Sequence, residues 1–167
     1  MFDLKISNLY DAVDLSKEWA TYTISLLDPG MEKDGYFIIP VAAANGKLQR
    51  YYFHDLTPDD NWRDWMTKPP EIVTHQQIQD ILAFTTPLAA TDKLLVHCHA
   101  GISRSTAVAC GVLCQHGLTP KESTKLVLSV RKQAFPNKHV LQLFDEILGL
   151  ENQLVKASAE VFSSCYY

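Results

Sequence analysis

The residues of this sequence best suited to chemistry lie in one short stretch, residues 97–105. It contains a nucleophile, Cys98, and, after five intervening residues, Arg104, a permanent cation whose planar fork binds two oxygens of a phosphate at once. Gly101, between them, permits a sharp turn and a close approach of the backbone to a ligand. A thiolate and a guanidinium joined by a tight loop are groups that phosphoryl transfer requires. The stretch therefore predicts attack by cysteine on a phosphate ester.

The elements on either side of this stretch can position it. Residues 94–96 form a short apolar run, typical of a strand buried on both faces, and residues 107–113 are apolar enough for a buried helix. The intervening loop is then expected at the carboxyl edge of a sheet. Its N–H groups and the positive end of the helix dipole would form a concave anion site, which also favours the thiolate form of Cys98.

The order His-Cys-x-x-Gly-x-x-Arg-Ser, from His97 to Ser105, resembles the signature of the cysteine-dependent protein tyrosine phosphatase superfamily. The short chain is similar to the dual-specificity branch. The resemblance implies that Cys98 forms a phosphocysteine intermediate and that Arg104 clamps the phosphate. It implies that Ser105 donates its hydroxyl to the departing thiolate and that His97 holds the loop. The substrate-binding residues would be His99, Ala100, Gly101, Ile102, Ser103 and Arg104.

A loop at residues 54–60 offers the general acid that such a reaction needs. The leaving oxygen requires a proton, and the same carboxyl group must then accept one from the hydrolytic water. The aromatic-x-Asp-x-x-Pro arrangement around Asp55 resembles the acid loop of the dual-specificity phosphatases. Asp55 is therefore the first choice, and Asp59 and Asp60 are the alternatives.

The segment between this loop and Cys98 is longer than we expect of small family members, and the excess lies at residues 61–70. Trp62, Trp65 and Met66 in this segment could form a lid over the site or a wall that selects substrates. Packing of the two tryptophans on the domain is an equally good interpretation.

Asn137 follows a proline between the last two predicted helices, an arrangement that also resembles the dual-specificity family. The resemblance implies that Asn137 supports the phosphate-binding loop by bonding to it. An asparagine here is also a good helix N-cap, and one side chain can serve both roles.

The composition indicates one globular domain without nucleic-acid or membrane binding. The chain has 167 residues, 47% of them hydrophobic, a net charge of −4 and no dense cluster of Lys or Arg. No apolar run is long enough to span a membrane, and residues 1–5 do not resemble a secretory signal, so we expect a cytoplasmic protein. We predict a single phosphatase domain over residues 1–151, followed at 152–167 by a frayed helical extension or tail.

The fold class predicted is α/β, with a small, mainly parallel central sheet flanked by helices, as in the dual-specificity type of protein tyrosine phosphatase. Asn45-Gly46 could close a hairpin between the predicted strands at 36–39 and 50–53, and the spacing also permits a longer loop. Apolar patterns and turn signals place strands at 2–6, 21–27, 36–39, 50–53 and 93–96, and helices at 10–19, 74–85, from 103, from 119 and around 140–148.

The expected partner is a phosphorylated protein or peptide, with no cofactor and no metal. The His and Cys spacing does not match the paired clusters of structural zinc, and Cys110 and Cys114 are expected in the core. The loop has one fixed positive charge, Arg104, which favours a singly phosphorylated residue, phosphotyrosine first, with phosphoserine and phosphothreonine left open. The alternatives are the same chemistry on a phosphoinositide, inositol phosphate or RNA 5′-phosphate, or a phosphopeptide-binding module without catalysis.

Overall fold

The structure, a computed structural model, describes residues 1–163 and places four strands in one sheet with helices on both faces. A short 3-10 helix, Trp62–Asp64, lies between the third strand and the second helix. The strands are β1 (Asp3–Ser7), β2 (Tyr22–Leu27), β3 (Lys47–Tyr52) and β4 (Lys93–His97), and the helices are α1 (Leu9–Glu18), α2 (His75–Thr85), α3 (Arg104–Gln115), α4 (Pro120–Val130), α5 (Lys138–Leu148) and α6 (Gln153–Ser163).

The sheet is parallel throughout, in the order β1-β4-β2-β3. His97 at the end of β4 is in register with Ser7 of β1 and Ser25 of β2, so the carboxyl ends of these strands meet at one edge. The chain segments that follow β2, β3 and β4 therefore begin at the same edge, which is where ligands bind in open parallel sheets. The predicted α/β class with a mainly parallel sheet is confirmed.

Alternation along β4 assigns its side chains to the two faces of the sheet. Leu94 and Val96 belong to the main core, together with residues of α3 and α5. Leu95 points to the other face and packs with Ala12 of α1 and with Ala20. The strand is buried on both faces, as its continuous apolar sequence predicts.

α3 is the central helix, and it packs closely against α5. Gly111 of α3 lies under the ring of Phe144, so closely that a Cβ on residue 111 would come within 2.2 Å of that ring. Phe144 is fully buried. The absence of a side chain at position 111 therefore allows the two helices to approach, and the loop of residues 98–103 leads into the amino end of α3.

Sequence signals locate the helix starts well. Thr74 and Thr119 each form the predicted capping box, with Gln77 and Glu122 respectively. Asn137 caps α5 by accepting the N–H of Val140. Caps depend on residues within one turn of the helix, so their signals are local and readable in the sequence.

The C-terminal extension forms a helix over the part that the structure describes, but the expectation that this helix is frayed is wrong. α6 is regular to residue 163, and its Leu154 and Phe162 are buried in the main core. The buried carboxylate of Asp145 on α5 accepts the N–H groups of Leu154 at 3.1 Å and Val155 at 2.9 Å. A carboxylate from another helix therefore caps α6. Residues 164–167 of the predicted tail lie outside the described residues.

The predicted strand at 36–39 and the hairpin at Asn45-Gly46 are also wrong. Residues 36–39, the predicted partner in that hairpin, lie in an irregular connection from 28 to 46, and β3 pairs in parallel with β2 instead. Phe37 and Ile39 are partly buried against Leu9 and Leu27, whereas the residues between and before them are exposed. This alternation of buried and exposed side chains resembles that of a strand, although residues 36–39 pair with no strand among the described residues. β3 begins at residue 47, earlier than predicted.

Within residues 1–163, none of the helices combines the length and apolar character needed to cross a bilayer.

Candidate active site

Cys98 directly follows the last residue of β4 and begins the loop of residues 98–103, which leads into α3. Its side chain is buried, with 2% exposure. The N–H of Gly101 donates to its Sγ at 3.2 Å, and Ser105 Oγ lies 3.3 Å from the same sulfur. The sulfur is thus surrounded by a backbone donor and a hydroxyl, the two kinds of group that stabilise a thiolate by hydrogen bonding.

Gly101 holds the loop against the junction of β1 and α1. Its φ is +69°, and a Cβ there would lie 2.5 Å from the carbonyl of Ser7. The N–H of Leu9 donates to the carbonyl of His99 at 3.0 Å. The position needs a glycine both for its left-handed backbone and for the close approach to Ser7.

Arg131, the residue that follows α4, holds the loop from the other side. Its Nε donates to the carbonyl of Gly101 at 2.9 Å and its Nη2 to that of Ala100 at 3.0 Å. Sequence reasoning missed this residue, because an arginine that follows an amphipathic helix is usually interpreted as an ordinary surface charge. Its two bonds fix the carbonyls of the loop and so restrict how its peptide units can rotate.

Arg104 is 3% exposed and is held by its Nη1. Nη1 donates to Asp28 Oδ1 at 2.7 Å and to the carbonyl of Phe53 at 2.6 Å. The buried Nε has no hydrogen-bond partner among the described residues. A buried, unpaired donor on a charged group is costly, and an anion beside it would supply the missing acceptor.

Asp28 is a second residue that sequence reasoning missed. The Asp28-Pro29-Gly30 sequence indicates a turn, and a turn by itself does not point to a functional residue. A signal was present, because Asp28 directly follows the buried strand β2 and therefore lies at the carboxyl edge of the sheet. Its carboxylate partly offsets the charge of Arg104.

Asp55 joins the segment after β3 to the 98–103 loop. Its Oδ1 accepts a hydrogen bond from Ser103 Oγ at 2.7 Å and from Asn137 Nδ2 at 2.9 Å. The side chain of Asn137 thus reaches the Asp55 loop while capping α5. The resemblance implied a bond to the 98–103 loop, and within the described residues this side chain makes none. The backbone N–H of Asn137 makes that link, to the carbonyl of Ser103 at 3.3 Å.

A cavity of about 470 Å³ brings these groups together. Cys98, Arg104 and Asp55 line it, as do Asp28 and Trp65, and the loop contributes His99, Ala100, Ile102 and Ser103. Neither alternative acid lines the cavity. Asp60 instead accepts the N–H of Thr57 at 2.6 Å within its own loop.

The two tryptophans of the 61–70 segment have different surroundings. Trp65 is 63% exposed and forms part of the cavity wall. Trp62 does not line the cavity, and the guanidinium of Arg63 lies 4.7 Å from its ring centre. The wall interpretation therefore fits Trp65, and the surface-packing interpretation fits Trp62.

Burial keeps His97, Cys110 and Cys114 neutral at neutral pH. Burial lowers the pKa of His97 to about 4, and the charges of Arg50 and Arg104 act in the same direction. A neutral His97 whose Nδ1 lies 3.3 Å from the Cys98 carbonyl fits a role in holding the loop rather than carrying protons. Burial raises the pKa of Cys110 and Cys114, so both remain thiols. Among the described residues, no cluster of three His, Cys, Asp or Glu could hold a metal ion.

Solved structures share this fold. No protein-family model matches the chain, and neither does any curated protein. Human DUSP28 is 21% identical with a TM-score of 0.57, over 89% of this chain and 94% of that one. The human tyrosine phosphatase-like serine/threonine/tyrosine-interacting protein is 18% identical with a TM-score of 0.59, over 89% and 92%. PTPMT1, in complex with PI(5)P, is 17% identical with a TM-score of 0.56, over 97% and 94%.

Proposed function

We propose that this chain, which has the fold of the dual-specificity phosphatases, is a cysteine-dependent phosphatase that hydrolyses phosphorylated protein side chains, phosphotyrosine first. One observation carries the proposal. The buried, unpaired Nε of Arg104 and the sulfur of Cys98, with the Gly101 N–H directed at it, line one cavity that also contains Asp55. Nucleophile, anion clamp and proton donor are thus present where one phosphate ester can meet all three.

In the first step the Cys98 thiolate attacks phosphorus. The S–P bond forms as the bond from phosphorus to the substrate oxygen breaks, and Asp55 gives its proton to that oxygen. Arg104 and the loop N–H groups stabilise the equatorial oxygens as charge builds on them. Ser103 and Asn137, both bonded to Asp55 Oδ1, orient the carboxyl group for this transfer.

In the second step water hydrolyses the phosphocysteine. Asp55, now ionised, takes a proton from the water as its oxygen attacks phosphorus, and the S–P bond breaks with its electron pair returning to sulfur. Ser105 Oγ and the Gly101 N–H, at 3.3 Å and 3.2 Å from that sulfur, stabilise the departing thiolate. The cycle releases inorganic phosphate and regenerates the enzyme.

The charge of the cavity supports a singly phosphorylated substrate. Arg104 is the one fixed cation among the residues that line it, and Asp28 offsets part of its charge. Polyanions such as phosphoinositides or inositol phosphates would gain little here beyond a single phosphate contact. The exposed indole of Trp65 offers a flat apolar wall for the ring of phosphotyrosine.

Two other functions remain as alternatives with an observation behind each. PTPMT1, whose structure holds PI(5)P, has the same fold, so phosphoinositide hydrolysis is the second candidate. The human interacting protein with this fold is named phosphatase-like, so a phosphopeptide-binding module is the third candidate. Binding alone would not require a sulfur held between Gly101 and Ser105, so catalysis is favoured.

The first experiment measures phosphate release from matched phosphotyrosine and phosphothreonine peptides, with a chelator present. We expect turnover by the wild type and none by Cys98→Ser, which should still bind phosphopeptide because Arg104 and the loop are intact. Cys114→Ser, a change at a cysteine outside the cavity, is the matched control and should retain turnover.

The possible outcomes separate the candidates. Substantial turnover by Cys98→Ser would refute the mechanism. Wild-type protein that releases phosphate from phosphoinositides but from neither peptide would establish the second candidate. Tight binding of phosphopeptide without turnover of any of these substrates would establish the binding module.

A further inference from the structure

We infer that a second cavity beside the active site binds an apolar side chain of the protein substrate, close in sequence to the phosphorylated residue. This inference rests on the proposed function. The cavity, called here the flanking groove, has a volume of about 350 Å³ and lies between α1 and the connection from β2 to β3. Its apolar lining residues are Leu9, Tyr10, Val13, Tyr36, Phe37 and Ile38.

The flanking groove carries apolar surface that the chain itself leaves uncovered. Tyr36 is 90% exposed, Ile38 75% and Tyr10 69%. Single exposed apolar residues are ordinary, but three large ones around one concavity form a patch of the kind that marks interaction sites. The neighbouring Val41 is 53% exposed and belongs to the same connection.

The groove is continuous with the phosphate-binding loop. The ring of Phe37 meets the imidazole of His99 edge to face, with 5.4 Å between ring centres. His99 lines the active-site cavity, and its carbonyl accepts the N–H of Leu9 from the floor of the groove. Phe37 and His99 therefore form a wall that the two cavities share.

An extended peptide can occupy both cavities. Side chains two residues apart in an extended chain lie on the same side at a spacing of roughly 7 Å. With a phosphotyrosine above Cys98, a side chain next to it or two residues away can pass over His99 and enter the flanking groove. Aliphatic side chains, such as leucine, suit the lining.

The charge around the groove favours a protein over a lipid surface. Asp14 lines the groove, and Asp11 lies one turn earlier on the same side of α1, with both residues exposed. These carboxylates repel acidic residues and anionic membrane lipids. A phosphopeptide with apolar rather than acidic neighbours is the occupant that fits.

The experiment compares two series of phosphotyrosine peptides that differ only in carrying leucine or serine at each position from two before to two after the phosphotyrosine. p-Nitrophenyl phosphate, which is too small to reach the groove, reports the phosphatase chemistry separately. Burial of one leucine side chain predicts a kcat/KM about tenfold higher for the best leucine peptide than for its serine partner. In the double variant Tyr36→Ser/Ile38→Ser, the leucine and serine peptides should have nearly equal kcat/KM.

Val130→Ser, which removes an exposed apolar side chain far along the chain on α4, is the control and should keep the wild-type ratio. Wild-type protein that hydrolyses p-nitrophenyl phosphate but shows equal rates on every peptide pair would overturn the inference and leave the proposed function intact. A ratio that persists in the double variant would also overturn it. So would faster hydrolysis of a phosphoinositide in vesicles than of any peptide, since the groove would then serve a lipid.

Discussion

Two carboxylates face the cavity around Cys98, and their contacts give them different roles. Asp55 accepts hydrogen bonds from two uncharged donors, the hydroxyl of Ser103 and the amide of Asn137, both through Oδ1. Asp28 is engaged with the guanidinium of Arg104. We therefore propose Asp55 as the group that exchanges a proton with a substrate, and Asp28 as the group that positions Arg104 while reducing the positive field of the site.

Substitution by asparagine tests this division of roles, because it removes the carboxyl chemistry at nearly constant shape. We expect Asp55→Asn to lower kcat about 100-fold for phenyl phosphate, whose leaving group needs a proton, and much less for p-nitrophenyl phosphate. Asp28→Asn should keep the wild-type dependence on the leaving group. It should also bind inorganic phosphate severalfold more tightly, because a negative charge beside Arg104 is gone.

Steady-state kinetics on the two aryl esters and inhibition by phosphate measure both effects. Asp59→Asn, outside the cavity, is the control and should behave as the wild type. A leaving-group effect in Asp28→Asn or Asp59→Asn, and none in Asp55→Asn, would reassign the general acid.

At the scale of elements, the 98–103 loop, which we propose binds the phosphate, is a short segment held from several sides. At the β1–α1 junction, Ser7 lies against Gly101 of the loop, and the N–H of Leu9 donates to the carbonyl of His99. The N–H of Asn137, the residue before α5, donates to the carbonyl of Ser103. Arg131, at the end of α4, holds two of its carbonyls. Elements far apart in the sequence thus keep the loop in one conformation, which an oriented set of N–H groups requires.

Arg131→Ala should loosen the loop without removing any group that touches the substrate. We expect kcat/KM for p-nitrophenyl phosphate to fall about tenfold, because two charge-assisted hydrogen bonds no longer fix the loop. Arg131→Lys should recover part of the loss by restoring one donor. Lys132→Ala, a neighbouring exposed cation, is the control for net charge.

Kinetics combined with thermal unfolding check the interpretation. Equal activity of Arg131→Ala and Lys132→Ala would contradict it. A large drop in melting temperature together with no rescue by lysine would indicate a role in folding instead.

At the scale of the whole molecule, His97 lies where the central strands end. It is fully buried, in register with Ser7 and Ser25 on the strands to either side. Its Nε2 has no hydrogen-bond partner among the described residues. The ring can therefore be protonated in the unfolded chain at a pH where it stays neutral in the folded protein.

This difference makes stability depend on pH with a definite sign. The pKa of His97 is lowered to about 4 in the folded protein, mainly by burial, against about 6.5 in an unfolded chain. Its contribution to stability is complete above pH 6.5 and is lost as the pH falls toward 4, because the unfolded state takes up the proton. We expect the free energy of unfolding to fall by about 2 kcal/mol between pH 7.5 and 5.0 from this residue.

Urea unfolding of the wild type and of His97→Asn at both pH values measures the effect. The variant should be less stable at pH 7.5 but lose about 2 kcal/mol less on acidification. His75→Asn, at an exposed histidine paired with Glu146, is the control and should keep most of the wild-type dependence on pH. Equal losses in the wild type and in His97→Asn would show that another group is responsible.

The sequence alone determined the features of this protein that arise from nearby residues. Capping boxes at Thr74 and Thr119 located two helices, and the apolar run before Cys98 indicated a buried strand and hence a loop at the sheet edge. The spacing of Cys98, Gly101 and Arg104 predicted an anion site within a single loop. Such signals survive in the sequence because each depends on interactions within a few positions.

The tertiary structure decided what depends on distant segments. Asp28 meets Arg104 across 76 positions, Arg131 reaches the carbonyl of Gly101 across 30, and Asn137 meets Asp55 across 82. The false strand at 36–39 has the same origin, since its alternation reflects packing on Leu9 and Leu27. Which charged group pairs with which, and which face an apolar residue covers, are settled only when the sheet brings its carboxyl ends together, and no local pattern encodes that choice.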